Sequence, residues 1–259
     1  MYRLVLLDID GTILNAKDEL DDKLIETIKA LQQKGILVGL ASGRSFDGSY
    51  IYGQKFGCSL YVVYNGGYVI LDKEIIHDTR IPSSLAYRLC SKTQDLNGTY
   101  IHFNGRGSLS NHPPRDNEYL LPKASISNVK ESNQDAHRVV LYLDSEHRAL
   151  VSQEVEDAAC FDEGDRLEIF PAGSKWTGIQ SLIKHLDIKP EEVVTIGNGT
   201  NDIEMLKAAG LGIAMGNAPD TVKQSADWVT SDSDHHGVVE ALIKIFELPD
   251  NIGVSFQII

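Results

Sequence analysis

Two carboxylates stand two residues apart in Asp8-Ile9-Asp10-Gly11-Thr12, directly after an apolar run over residues 2–7. Alternate residues of an extended strand share a face, so Asp8 and Asp10 point the same way. Their repulsion calls for compensation, most simply by a divalent cation. Gly11 lets the backbone turn tightly and bring peptide N–H groups up to an anion. Three later segments are of matching character: Ser42-Gly43-Arg44, Lys175 at a helix start, and Gly197-Asn198-Gly199-Thr200-Asn201-Asp202. They add a hydroxyl, cations and further oxygen donors. Phosphoryl transfer needs little beyond a nucleophile, charge neutralisation and rigid positioning. Taken alone, Asp10-Gly11-Thr12 also reads as a plain turn and Lys175 as a solvated lysine. The recurrence of such residues at successive strand ends argues for a site.

The elements that must position them alternate. A strand over 2–7 precedes a helix capped by Asp21 or Asp22, with Leu24, Ile28 and Leu31 on one face and Gly35 at its end. A buried strand over 36–41 and a helical stretch follow, then a third strand over 60–63 that runs into Asn65-Gly66-Gly67. Segments 68–71 and 75–77 form a hairpin about Asp72-Lys73. This rhythm predicts an α/β parallel sheet, whose ligands bind beyond the carboxyl ends of its strands. From about residue 82 to 172 the rhythm changes to an α+β insert: a helix over 84–96, strands over 99–103 and shortly after, an irregular polar stretch, then strand 138–143, a helix from Asp144 and strand 166–170. Hinges are expected at 79–82 and 171–174, where Pro and Gly cluster. The α/β pattern resumes with a helix to residue 186, strands over 193–196, 211–215 and 228–229, and a last helix over 237–246. In the insert, Tyr100, His102, Asn104, Arg106, His112 and Arg115 are the candidates to face a ligand. Gly210, Gly212 and Gly216 do not fit a dinucleotide fingerprint and read as turn glycines. His235 and His236 read as loop residues rather than metal ligands.

Composition narrows the partners. With 42% hydrophobic and 24% charged residues, the chain is ordinary for a globular protein. A net charge of −13 with scattered Lys and Arg argues against nucleic acid. Cys58, Cys90 and Cys160 lack disulfide or zinc spacing and read as reduced thiols. Neither a basic leader nor a membrane-length apolar stretch is seen. The expectation is a cytoplasmic protein without membrane partners, a monomer or homodimer.

The ordered set DxDGT, ASGR, Lys175 and GNGTND resembles the four motifs of the HAD superfamily. Asn65-Gly66-Gly67, the run from Asn201 to Leu206 and the run from Ala214 to Ala218 look like its Cof-type (IIB) branch. The resemblance implies a Rossmann-like core from 1–80 and 173–248, an α/β cap of type IIB from 81–172, and a tail over 249–259. It implies a Mg²⁺-dependent phosphatase for a small phosphorylated metabolite, such as a sugar phosphate. Asp8 would be the nucleophile, Asp10 the acid and base, held in place by Thr12, and Lys175 the neutralising cation. Thr12, Ser42, Gly43, Arg44 and Asn201 would serve phosphate or substrate. Asp8, Asp10 and Asn198 would serve the metal, with Asp202 as a further ligand or as a partner to the ligands. One departure stands out: the family pattern GDxxND has Asn198 where its first Asp belongs, which removes a charge from the metal site. That departure motivates a weakly active or purely binding protein as an alternative, and capped relatives motivate a sugar phosphomutase.

Overall fold

The computed structural model describes residues 1–105, 107–112 and 134–249, together with the backbone of 124–126. Residues Arg106 and Arg115 and the tail from 250 onward lie outside the described residues.

Strand β1 (Leu4–Leu7) is four apolar residues with both faces buried, as a central parallel strand requires. It pairs in parallel with β2 (Leu37–Ala41) on one side and with β12 (Val193–Gly197) on the other. Strand β3 (Leu60–Val63) continues the sheet beyond β2, and β13 (Leu211–Ala214) and β14 (Trp228–Val229) continue it beyond β12. The hairpin of β4 (Tyr68–Leu71) and β5 (Glu74–Asp78) adds an antiparallel edge. Its turn residues Asp72 and Lys73 have φ of 47° and 75°, the left-handed pair a two-residue hairpin favours. The order is therefore β14-β13-β12-β1-β2-β3-β4-β5. Successive strands step away from β1 to one side through β2 and β3 and to the other through β12 and β13, so the crevice opens beyond the end of β1, where Asp8 follows.

Helices cover both faces. Val5 and Leu7 meet Leu24, Ile28 and Leu31 of α1 (Asp22–Gln33) and Val238 and Leu242 of α8 (Gly237–Phe246). Leu4 and Leu6 meet Ile179, Leu182 and Ile183 of α5 (Lys175–His185) and Met205 of α6 (Ile203–Ala208). Each fully buried Leu, Ile or Val stabilises by about 1.5–3 kcal/mol. Asp21 caps α1 by accepting the Lys23 N–H. Gly210 and Gly212 are not turn glycines. Neither has positive φ, and a Cβ at either would collide with backbone, of Glu191 and of Leu206 respectively. They are glycines because another backbone segment passes against them.

Between β5 and α5 the chain builds a second sheet. Its elements are α3 (Ser83–Asp95), β6 (Thr99–Asn104), β7 (Gly107–Ser110), β8 (Ala124–Ile126), β9 (Arg138–Tyr142), α4 (Ser145–Ser152), β10 (Ala158–Asp162) and β11 (Leu167–Pro171). The order is β10-β11-β9-β6-β7-β8. Strand β10 was not foreseen, because Ala158, Ala159 and Asp162 are poor strand formers; full antiparallel pairing with β11 imposes the conformation. The single helical turns of α7 (Asp220–Lys223) also went unread. One face of this sheet packs Tyr100, Val139, Leu141 and Ile169 against Leu85, Ala86 and Leu89 of α3. The other face carries Ile101, Phe103, Val140 and Phe170 into one cluster with Tyr64 and Tyr68 of the first sheet.

Candidate active site

Asp8 leaves β1 with its N–H on the Ile196 carbonyl at 2.9 Å, and its carboxylate is only 6% exposed. Lys175, the first residue of α5, is fully buried and places Nζ 2.6 Å from Asp8 Oδ1 and 2.6 Å from Asp202 Oδ1. Burial works against the lysine's charge, but Asp202 and Asp8 outweigh it and push the ammonium above its ordinary range. Burial and then the Asp202 charge push the Asp8 carboxyl up to about 7, against the pull of Lys175.

The Asp202 carboxylate faces inward. Oδ1 accepts from Lys175, and Oδ2 accepts the N–H groups of Asn198 and Gly199 at 2.9 and 2.8 Å. With both oxygens committed and the residue fully buried, Asp202 positions the lysine and the Asn198 loop. Of its two expected places, metal ligand or partner to the ligands, this geometry fits the second.

Asp10 is solvent-facing and bound in a two-point pair by Arg44, Nε to Oδ2 at 2.8 Å and Nη2 to Oδ1 at 2.5 Å. Arg44 lies 5.2 Å from the Tyr52 ring centroid and Nη1 approaches its hydroxyl. Burial of the guanidinium opposes its charge, but the bonds to Asp10 hold its pKa well up. Thr12 does not bond Asp10, nor is it among the residues that line the cavity around Asp8 and Asp10. It is buried, and its hydroxyl lies 3.2 Å from both Asp8 Oδ2 and Asn198 Oδ1. The reason is the turn: Gly11 at φ +69° swings Thr12 back under β1. Asn217, within the run from Ala214 to Ala218, supports that turn, since its Nδ2 donates to the Gly11 carbonyl at 2.9 Å.

Ser42, Gly43, Arg44, Asn198 and Asn201 join Asp8 and Asp10 around one cavity of about 780 Å³. The Ser42 hydroxyl accepts the Arg44 N–H at 3.1 Å, which closes the loop after β2. Asn201 Nδ2 reaches Asn65 Oδ1 at 3.4 Å. Asn65 and Gly66 have φ of 55° and 96°, and this turn seats the start of α5, where Gly66 lies against Ser174 and Lys175.

The opposite wall of the cavity comes from the second sheet: Ile101, Phe103, Arg138, Val140, Tyr142, Phe161, Glu168 and Phe170 among others. On β6 it is Ile101 and Phe103 that line the cavity, not the expected Tyr100, His102 and Asn104. Tyr100 sits in the cluster under α3, and His102 is buried with Nε2 on the Gln134 carbonyl at 3.1 Å. Burial lowers the His102 pKa, against the Gln134 carbonyl. Asn104 bonds Gln134, 2.8 Å, and the His112 N–H takes Ser110 Oγ at 3.2 Å. His235 and His236 pair with Asp232 and Asp21, at 2.6 and 2.5 Å, away from this cavity. Among the described residues no group of three or more His, Cys, Asp or Glu side chains could hold a metal ion. The oxygen donors at hand are the Asp8 carboxylate and the Asn198 amide oxygen, which flank one hydroxyl. An all-oxygen set suits a hard cation such as Mg²⁺. Also among the described residues, no helix is long and apolar enough to cross a membrane.

Residues 5–242 match the family model of haloacid dehalogenase-like hydrolases, and the chain belongs to that family. It is 28% identical to Endoribonuclease YBEY, chloroplastic, of Arabidopsis thaliana over 94% of this chain, although it spans only 46% of that protein's length. It is 28% identical to a phosphoglycolate phosphatase of Methanoculleus marisnigri, over 95% of this chain and 97% of that one. A haloacid dehalogenase-like hydrolase from Bacteroides thetaiotaomicron has the same fold, with a TM-score of 0.88 and 28% identity over 95% of this chain and all of its own. The motif resemblance and the α/β fold class are thereby borne out.

Proposed function

We propose that this family member, a phosphoric monoester hydrolase, is a Mg²⁺-dependent phosphatase that cleaves a small phosphorylated metabolite through an aspartyl-phosphate on Asp8. The observation that carries the reading is the buried Lys175 ammonium bridging Asp8 and Asp202 at the floor of a polar cavity. The Asp8 carboxylate attacks phosphorus, and the bond from phosphorus to the leaving oxygen breaks. Asp10 gives that oxygen a proton, then takes one from the water that opens the acyl phosphate. To do so it must swing from Arg44, which holds it at the cavity edge until substrate arrives. Ser42 Oγ, the Gly43 N–H and Asn201 would hold phosphate oxygens, and Lys175 offsets charge on the nucleophile. Mg²⁺, held by Asp8, the Asp10 carbonyl and Asn198, would supply further neutralisation of phosphate and nucleophile. The second sheet serves as the cap, with core segments 1–80 and 173–248 and cap 81–172. The relatives named as phosphatases support the reaction class.

The test is phosphate release from p-nitrophenyl phosphate and a metabolite set with and without Mg²⁺, together with trapping of a hydroxylamine-sensitive phosphoenzyme. Asp8→Asn is expected to abolish both signals while remaining folded by circular dichroism. Near-normal release from that variant would overturn the covalent route.

A further inference from the structure

The cavity-facing residues of the second sheet form rungs. Phe103 and Arg138 are cross-strand partners, and the Arg138 guanidinium carbon lies 5.4 Å from the Phe103 ring centroid and 5.5 Å from that of Phe170. The next rung runs Ile101, Val140, Glu168, Phe161. Beyond it stand Tyr142, Arg166 and the loop acids Glu163 and Asp165. Phe170 marks the inner end, its ring 3.6 Å from where a Cβ on Gly43 would sit. A group leaving phosphate at Asp8 therefore meets the Phe103, Arg138 and Phe170 rung first, then Glu168 among Ile101, Val140 and Phe161, and the loop acids Glu163 and Asp165 last.

The charges on this wall are already matched to one another. Glu168 Oε1 accepts Arg138 Nη2 at 2.6 Å and Arg166 Nε at 2.8 Å, and Arg166 also holds Asp165 at 2.8 Å. Burial raises the Glu168 carboxyl, but Arg138 and Arg166 outweigh it and hold it below the ordinary range, so it is ionised at neutral pH. Among the described residues the wall has two cations against the three carboxylates Glu163, Asp165 and Glu168; each guanidinium is ion-paired with Glu168, while Arg138 Nε, on the innermost rung, is buried without a partner.

Resting on the phosphatase reading above, we propose that the leaving group is a ring or other flat, apolar-faced alcohol, neutral or cationic at its far end. It lies over Phe103, Val140, Phe161 and Phe170. A substrate with a second anion beyond its phosphate is excluded by Glu163, Asp165 and Glu168. Such an anion would find each guanidinium already ion-paired with Glu168 and three like charges around its far end, a repulsion that salt screens at the exposed Glu163 and Asp165. An ammonium there would gain the acids and the ring faces together.

The test uses phenyl phosphates carrying para-aminomethyl, para-hydroxymethyl or para-carboxymethyl groups, whose methylene insulates the reacting oxygen from the charge, with p-nitrophenyl phosphate as reference. At low ionic strength kcat/KM for the aminomethyl ester should exceed that for the carboxymethyl ester by about tenfold or more, narrowing with salt. The double variant Glu163→Gln, Asp165→Asn, at exposed positions, should shrink the gap severalfold. Glu168→Gln, which removes the charge that Arg138 and Arg166 share, should shift preference toward the carboxymethyl ester. Should Glu168→Gln not fold, the exposed double variant decides. Release from all esters without charge preference, or a preference for the carboxymethyl ester in the unaltered enzyme, overturns this inference alone. No release from any of the four overturns the phosphatase reading and this one with it.

Discussion

At Asp8 three charges compete inside one small volume, and the balance has a measurable sign. Burial and Asp202 lift its carboxyl from 3.8 to about 7, while Lys175 resists. A carboxyl raised on folding stabilises fully below its unfolded pKa and loses that contribution as pH rises through the folded value. The Lys175 contribution, raised above 10.5, is constant across this window. With a chelator present, urea unfolding is expected to show stability falling between about pH 4 and 7 through Asp8, and Asp8→Asn should lack that fall. A flat profile in both proteins would contradict the coupling. Asn198 extends the argument, because its amide oxygen shares the Thr12 hydroxyl with Asp8. Asn198→Asp puts another carboxylate beside the first, so without metal the variant should be less stable at neutral pH. With metal the sign reverses: changes one shell further out alter metal affinity by about 10–100-fold, and a gained ligand charge should tighten Mg²⁺ by at least that order. Calorimetric titration of both forms measures it, and equal affinity would remove position 198 from the metal site.

Elements place these residues, and the turn after β3 shows how tightly. Gly66, at φ +96°, lies where a Cβ would strike the Ser174 carbonyl, and Gly178 in α5 packs back on the Gly66 carbonyl. Gly66→Ala therefore meets a strained backbone and a backbone collision at once, each costing about 1–3 kcal/mol. Relief must push α5, and with it Lys175, away from Asp8. Activity at a temperature where the variant is still folded is thus expected to fall by more than tenfold. Gly35→Ala is the control, with positive φ but open space, and should cost only about 1 kcal/mol with activity intact. This level also shows what a sequence reveals. Asp8, Ser42 and Asn198 were legible because each ends a parallel strand, where polar residues after an apolar run stand out. The cavity-facing side of β6 was not. Tyr100, Ile101, His102 and Phe103 are all buried, one pair under α3 and the other toward the cavity, so no polar alternation marks either face. Choosing Tyr100, His102 and Asn104 over Ile101 and Phe103 was a shift of one residue. Arg138 and Glu168 went unread because their pairing spans strands far apart in sequence.

The whole molecule turns on how independent the proposed cap is. The chain crosses between the sheets twice at one place: the Thr79 carbonyl and the Pro171 ring lie 3.2 and 3.1 Å from the point where a Cβ on Gly67 would sit. A short linker from Thr79 to Ser174 can therefore replace everything between without stretching the first sheet, whose eight strands all lie outside the excised part. The two halves are nevertheless packed together. Tyr64 stacks on His137 at 5.1 Å, Tyr68 meets the same ring at 4.9 Å, and the Tyr64 hydroxyl donates to the Gly105 carbonyl at 2.7 Å. His137 in turn reaches Asp78 at 3.0 Å. Excision uncovers both tyrosines, a loss of about 1.5–3 kcal/mol for each fully buried ring, so the core alone should melt lower. Replacing Tyr64 and Tyr68 by polar residues in the shortened chain should restore solubility without altering Asp8, Lys175 or Asp202, which all lie in the retained part. That core keeps Asp8, Lys175 and the loop from Ser42 to Arg44 but loses every residue of the aromatic and acidic wall. Hydrolysis of p-nitrophenyl phosphate should persist at reduced rate, since water now reaches the site freely. The difference between aminomethyl and carboxymethyl esters should vanish with the wall. Full discrimination in the shortened chain would place selectivity in the core loops instead and leave the second sheet without the role proposed for it.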